Sequence, residues 1–273
     1  GEQEIAGLER ESEMSSGGGP VEVSSVLDAE TREEIERLAS RHGVRAEIFL
    51  LACWQLLVWR LTGQEEITTY SLCQILRAGE WRETLGPLAR FCPVQSHLEP
   101  DYQFTEMLEI VDQSMRAADS RLNHHLRDDG RTIESGLLAE RTRAIGFEYE
   151  EWPEAISAGP VRFTYWKQSV LIDRFKLRLG AYRRAGELML ELQYDPAFFS
   201  QESAELLMER YLTLIESAVA GERTPIEELE VIGPRERRLL IEDWNRTAMS
   251  LAEGRYLHHR IEEQAEIRPE SIA

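Results

Sequence analysis

Residues Arg45–Leu72 read RAEIFLLACWQLLVWRLTGQEEITTYSL. From Arg45 to Leu61 the apolar side chains fall on most sides of a helix, so this element is predicted to lie inside a core rather than on its surface. Thr62-Gly63-Gln64 stops the helix, and Ile67–Leu72 reads as a buried strand. The longest apolar run, Ile48–Trp59, is interrupted by Gln55. It is too short to cross a bilayer, which takes about 20 residues.

Upstream, Val21–Val26 alternates apolar and polar residues as a short strand does. Asp28 offers an N-cap to a helix over Thr31–His42, with Ile35, Leu38 and Ala39 on its inner face and Gly43 at its end. Gly1–Pro20 is polar, closes on Ser15-Ser16-Gly17-Gly18-Gly19-Pro20 and reads as a mobile loop. Downstream, Leu88–Leu98 is predicted to be extended around Pro93. Phe104–Leu122 carries a helical stripe of Phe104, Met107, Leu108, Val111 and Met115. Strands are predicted at Ile145–Tyr149, Val161–Trp166, Leu177–Tyr182 and Leu188–Tyr194, the last two joined through Arg183-Arg184-Ala185-Gly186. Ser200 caps a helix over Glu202–Ala220. After a break at Gly221–Pro225, Ile226–Ile232 reads as extended. Pro234 opens a helix reaching Asp243, and Leu257–Ile267 forms a last one. Helices mixed with paired strands predict an α/β layered domain with a mixed sheet and flanking helices.

The chain carries 31 basic and 50 acidic residues among 273, a net charge of −19. Such a surface repels phosphate backbones and anionic lipid, so no nucleic acid and no membrane partner is expected. Cys53, Cys73 and Cys92 have neither CxxC spacing nor a histidine at ligand distance. They read as reduced buried thiols, and no metal site is expected. Gly1–Pro20 lacks an apolar signal core, so a cytoplasmic location is expected. No GxSxG, Walker loop or GxGxxG in a strand–helix setting occurs. Trp54, Trp59, Trp152 and Trp166 read as core or contact residues. Arg141, Arg143, Arg183 and Arg184 read as solvated element ends, with docking of a carrier protein as their functional alternative. His258-His259 has no metal-site spacing.

Six segments, in order and spacing, resemble nonribosomal peptide synthetase condensation domains. The helix running into Thr62-Gly63-Gln64 is similar to that family's apolar helix before TGQ. Leu85-Gly86-Pro87-Leu88-Ala89-Arg90-Phe91-Cys92-Pro93-Val94 resembles its IGxFVNTLPLR element, and Phe104–Ala118 the helix after it. Tyr194-Asp195-Pro196-Ala197-Phe198-Phe199 resembles a strand end of the family. Ile226 through Trp244-Asn245-Arg246-Thr247 is similar to its linker. Leu257–Ala265 with Arg268-Pro269-Glu270 looks like the opening of an adenylation domain. Two departures stand out: Arg90 takes the place of an asparagine, and Lys176 that of the acid in KFDLTL.

The resemblance implies the C-terminal half of a two-lobed, chloramphenicol acetyltransferase-like fold. By this reading, residues 1–20 come from the inter-lobe region and 21–221 form the lobe. Residues 222–250 are the linker, and 251–273 begin the adenylation domain. The implied function is amide-bond formation between carrier-bound aminoacyl or peptidyl thioesters. The implied partners are the first lobe, the adenylation domain and peptidyl carrier proteins bearing phosphopantetheine arms, with no cofactor bound by this lobe. Alone it would be inactive. A non-catalytic docking scaffold, and a free-standing acyltransferase using HHLRDDG, are the alternatives.

His124-His125-Leu126-Arg127-Asp128-Asp129-Gly130 spells HHxxxDG, the string that carries the chemistry in that family. Its second histidine orients or deprotonates the attacking amine. That assignment would make His125 catalytic. The reading sets His125 aside: the family motif follows an apolar strand of the first lobe, whereas here a polar helix end precedes it, after the LGPLARFCP element.

Overall fold

The computed structural model describes residues 21–74, 89–128, 143–153, 155–164, 174–245 and 257–269. Gly1–Pro20, Leu85–Leu88, Asp129–Gly130, Arg141, Trp166 and Arg246–Thr247 lie outside the described residues. The chain divides into two units, one ending at Val231 and the other starting at Ile232.

In the first unit, β1 (Val21–Leu27) leads into α1 (Ala29–Arg41) and α2 (Ala46–Thr62), followed by β2 (Glu66–Gln74) and β3 (Ala89–His97). Then come α3 (Phe104–Asp128), β4 (Arg143–Glu151), a small hairpin of β5 (Ile156–Ala158) and β6 (Val161–Phe163), β7 (Phe175–Arg184), β8 (Glu187–Tyr194) and α4 (Gln201–Ala220). Local chemistry sets the helix ends. Asp28 Oδ1 accepts the Thr31 N–H at 2.9 Å, and Ser200 Oγ accepts that of Ser203 at 3.0 Å. Gly63 ends α2 at φ 65°, a left-handed conformation that a side chain would strain.

Six strands form one mixed sheet in the order β1-β8-β7-β4-β2-β3. β4 runs parallel to both β2 and β7; the β1–β8, β7–β8 and β2–β3 pairs are antiparallel. The two-residue turn at Ala185 (φ 48°) and Gly186 (φ 88°) joins β7 to β8, with the positive dihedrals that match strand twist. β5 and β6 pair only with each other, so the strand predicted at Val161–Trp166 belongs to this separate ribbon.

One sheet face is apolar: Ile145 and Phe147, Leu177, Leu179 and Ala181, and Leu188, Leu190 and Leu192 enter a core shared with the helices. At its centre is α2, buried from Glu47 to Val58 as its sequence predicts. Gln55, the polar interruption, is half satisfied there: its Nε2 donates to Thr69 Oγ1 at 3.0 Å and to the Val94 carbonyl at 3.3 Å, while its buried Oε1 accepts no hydrogen bond from the described residues. Trp54 Nε1 donates to the Gly146 carbonyl at 3.1 Å, and Tyr211 Oη to that of Leu50 at 2.9 Å. These bonds join the central helix to β4 and α4.

Packing does not stop at residue 221, where the sequence reading ends the lobe. Ile226, Leu229 and Val231 are buried in the first unit's core. The segment expected to be extended over Ile226–Ile232 is instead a series of turns, with a single bridge between Gln103 and Pro225. Its amides bond to loops and a side chain rather than to a strand: Ile226 N–H to the Tyr102 carbonyl, Glu227 N–H to that of Pro100 and Glu230 N–H to Ser217 Oγ.

The second unit holds α5 (Pro234–Arg238), which widens into a π-turn over Leu239–Asp243, and α6 (Leu257–Ile267). Asn245 Nδ2 donates to the Leu240 and Ile241 carbonyls at 2.8 and 3.0 Å, capping the widened turn. Residues 258–269 are exposed throughout.

Candidate functional site

The second face of the sheet is polar. Along β7, Arg178, Gly180 and Tyr182 alternate with the core residues; across from them on β4 stand Gly146, Glu148 and Glu150. Arg178 Nη1 donates to Glu148 Oε2 at 3.0 Å and its Nη2 to Gln193 Oε1 at 2.5 Å; Tyr182 Oη donates to Glu148 Oε1. Arg178, Tyr182 and Glu148 are all buried, so each charge depends on the other being present.

Two glycines make this arrangement possible. A Cβ on Gly180 would lie 2.5 Å from Tyr182 Oη, and one on Gly146 would lie 2.8 Å from the Phe175 ring and 3.0 Å from Arg178 Cγ. Tyr182 therefore folds back over Gly180 to reach Glu148, the residue paired with Gly180 in the register. Burial and then the Glu148 charge push the Tyr182 hydroxyl up, so it stays protonated and donates. Burial, then Glu148, also raise the Glu150 carboxyl.

At the end of β4 a cavity of about 830 Å³ opens against the α1–α2 junction, lined among others by Glu36, Arg45, Glu47, Tyr149, Trp152 and Arg183. Several of its charges are paired: Arg45 with Glu47 at 2.5 Å, and Arg183 with Glu36 at 3.3 Å and Glu151 at 3.8 Å. Burial, then Glu151, push the Tyr149 hydroxyl up to about 12.

The remaining residues singled out in the sequence fall apart in space. Arg143 lies over the Tyr70 ring at 4.3 Å and Lys176 over Phe198 at 4.6 Å. Arg90 and Arg184 are half-buried. Trp152 and Trp54 are buried, and Trp59 packs against the core. His258 and His259 lie side by side, ring centroids 4.2 Å apart and planes tilted by 47°, on exposed α6. Cys53 and Cys73 are buried and Cys92 half-buried, all three as free thiols. Cys73 and Cys92 share a hydrogen bond across β2 and β3, and this bond first, then burial, keeps Cys73 protonated. Among the described residues no group of three or more His, Cys, Asp or Glu side chains could hold a metal ion.

The backbone of residues 124–128 continues α3 to Asp128. His125 thus sits on a helix, with the DG of its motif outside the described residues. Sequence reasoning misses Glu148 and Arg178 as a pair, 30 residues apart. The signal available is the acid at alternate positions in IGFEYEE, on a strand whose other residues are apolar.

The hairpin of β5 and β6 presents one apolar face. Ile156 pairs with Phe163 and Ala158 with Val161, and Ile156, Val161 and Phe163 are 67%, 51% and 60% exposed.

Known proteins give these features a context. Bacitracin synthase 1 of Bacillus licheniformis is 24% identical over 263 residues, covering 92% of this chain and 5% of the synthase. Malpibaldin synthetase of Mortierella alpina is 21% identical over 251 residues, covering 90% of this chain and 4% of the synthetase. The chain thus spans a small part of the curated relatives it matches. Among solved structures, the first condensation domain of the CDA synthetase superposes with a TM-score of 0.62 at 17% identity, covering 80% of this chain and 50% of that one. A four-domain nonribosomal peptide synthetase bound to AMP and glycine superposes with a TM-score of 0.74 at 15% identity, covering 93% and 21%. The α/β lobe expected from the sequence is the fold these structures share. The family described as Condensation domain matches residues 16–241, which is most of the chain. By that match, and by the sheet and helices that carry it, the chain belongs to the condensation-domain family.

Proposed function

We propose that this chain forms the C-terminal lobe of a condensation domain that makes amide bonds within a nonribosomal peptide synthetase. The observation that carries this reading is coverage: the chain aligns over 80% of itself but only 50% of a solved condensation domain. The apolar face of the β5–β6 hairpin supports it, because a strip of exposed Ile156, Val161 and Phe163 is suited to burial against a second lobe.

In this reading the lobe supplies one wall of a channel. A donor acyl group arrives as a thioester on one carrier protein's phosphopantetheine arm, and an acceptor amine arrives on another. The amine nitrogen attacks the thioester carbonyl and the carbon–sulfur bond breaks. One amine proton ends on the departing thiolate, leaving an amide and a free thiol. The proton acceptor belongs to the other lobe. This lobe contributes shape and a stiff polar sheet face, and binds no cofactor of its own. Residues 222–250 act as the linker and 251–273 open an adenylation domain. Among the described residues no helix is long and apolar enough to cross a membrane. Buried thiols at Cys53 and Cys73 favour a reducing cytoplasm.

The test mixes a donor aminoacyl carrier protein with an acceptor aminoacyl carrier protein and follows the dipeptidyl carrier by mass spectrometry. This chain alone is expected to give none, and the intact synthetase containing it to give the dipeptide. Dipeptide from the isolated chain would overturn the lobe assignment. Its absence from an intact synthetase with loaded carriers would favour a docking scaffold.

A further inference from the structure

Residues 222–231 are held to the lobe far more firmly than a connecting segment requires. At one end, Glu222 receives Arg41 Nη1 at 3.0 and 3.1 Å and lies 3.0 Å from His42 Nε2, both at the end of α1. Further along, Arg60 in the last turn of α2 directs a single nitrogen, Nη1, at three carbonyls: Ile226 at 3.3 Å, Glu227 at 2.7 Å and Leu229 at 3.0 Å. One guanidinium nitrogen carries two hydrogens, so at least one is shared. The backbone adds its own ties. Thr105 N–H bonds to the Glu222 carbonyl, Ile226 N–H to that of Tyr102 at 2.8 Å, and Glu230 N–H to Ser217 Oγ at 2.9 Å. Ile226 and Leu229 are buried beneath, and Ile232, the first residue of the second unit, is 45% exposed.

We propose that Arg60 is a positioning residue: by clamping the turns at 226–229 onto the end of α2, it fixes the point from which the rest of the chain leaves the lobe. This rests on the reading of the chain as a condensation lobe followed by a linker. A tethered acceptor reaches the channel at an effective concentration set by the length and direction of its tether. Fixing residues 222–231 confines any freedom of that tether to Ile232 and beyond. Releasing them adds slack of about ten residues, each spanning up to ~3.5 Å. Arg60 touches neither donor nor acceptor in this scheme. It acts only on where the acceptor is delivered from.

The experiment uses the intact synthetase containing this chain, with the donor supplied as a separate aminoacyl carrier protein. In one arm the acceptor is loaded on the synthetase's own carrier domain with ATP. In the other ATP is withheld and the acceptor is offered free, as an aminoacyl N-acetylcysteamine thioester. Arg60→Ala is expected to slow the tethered reaction by about tenfold or more, in line with the loss of a favourable tether geometry, and to leave the free-acceptor rate unchanged. Arg60→Lys, with one ammonium for three carbonyls, should fall between. Glu222→Gln, which loosens the other end, should shift the two arms in the same unequal way. Hydrogen exchange at Ile226, Glu227 and Glu230 should speed up in each variant, with β8 amides unaffected. Equal slowing in both arms would mean that Arg60 only stabilises the lobe, and would overturn the proposal. Unchanged tethered turnover despite faster exchange at 226–230 would overturn it too. A wild-type synthetase silent in both arms would sink the amide-forming reading itself, and the role given to Arg60 with it.

Discussion

Arg178 and Glu148, on neighbouring parallel strands, are joined at 3.0 Å with side chains only 5% and 10% exposed. Removing one partner of such a pair strands the other charge in a poorly solvated place. Arg178→Ala is therefore expected to destabilise the lobe by about 3–5 kcal/mol, read from urea unfolding. Replacing both residues by apolar ones of similar volume should cost much less. A double replacement as damaging as the single one would show that the pair is not the source of the effect.

Tyr182 depends on the absence of a side chain at Gly180. Gly180→Ala is expected to push the ring off its acceptor and cost about 1–3 kcal/mol, the range for overpacking. In combination with Tyr182→Ala the loss should be clearly less than additive, because the clash has been removed in advance. Strict additivity would refute the contact.

Glu222 gives the lobe an acid-sensitive anchor. Its hydrogen bond with His42, then the Arg41 charge, hold its carboxyl below the usual 4.5. A depressed folded value means that the anchor's contribution is complete above the ordinary carboxylate range and fades as pH falls through the lowered one. Hydrogen-exchange protection at Glu230 should be flat from pH 7 to about 5, after correction for intrinsic rates, and decline below. In Glu222→Gln that decline should vanish.

His125 stands on a helix that continues α3. His125→Ala in the intact synthetase is expected to retain peptide product within about twofold, far from the 10²–10⁴-fold that general acid–base catalysis contributes. A loss of that larger size, with circular dichroism and melting unchanged, would make HHLRDDG functional after all.

Asp28→Ala should remove the α1 cap and cost about 1 kcal/mol, whereas Asp28→Asn, which keeps an acceptor, should cost little. Thermal melts of the two variants separate the cap from the charge.

Much of the lobe is legible in the sequence because short-range physics fixes it. Asp28, Gly63 and Ser200 mark helix ends, and the stripe from Phe104 to Met115 marks a buried face. Arg183-Arg184-Ala185-Gly186 marks the hairpin. What escapes depends on distant partners. Glu148 looks like a misplaced charge until β7 brings Arg178 beside it. Gly180 looks like an ordinary strand glycine until Tyr182 folds across it. Arg60 gives no local hint that its targets lie 166 to 169 residues away. The turns at 226–231 escape because the groups that fix them, Arg60 and the Tyr102 carbonyl, lie more than a hundred residues away. Condensation chemistry is legible only through resemblance, since periodicity, caps and turns say nothing of a reaction.

Pro93 sits within β3, paired with Tyr70, at one rim of the six-stranded sheet. A residue without an N–H has no donor to offer an incoming strand. For a lobe that emerges from the ribosome beside copies of itself, a rim interrupted in this way resists zipping into fibres. A proline fitted to the β3 line thus leaves that rim one donor short for edge-to-edge pairing.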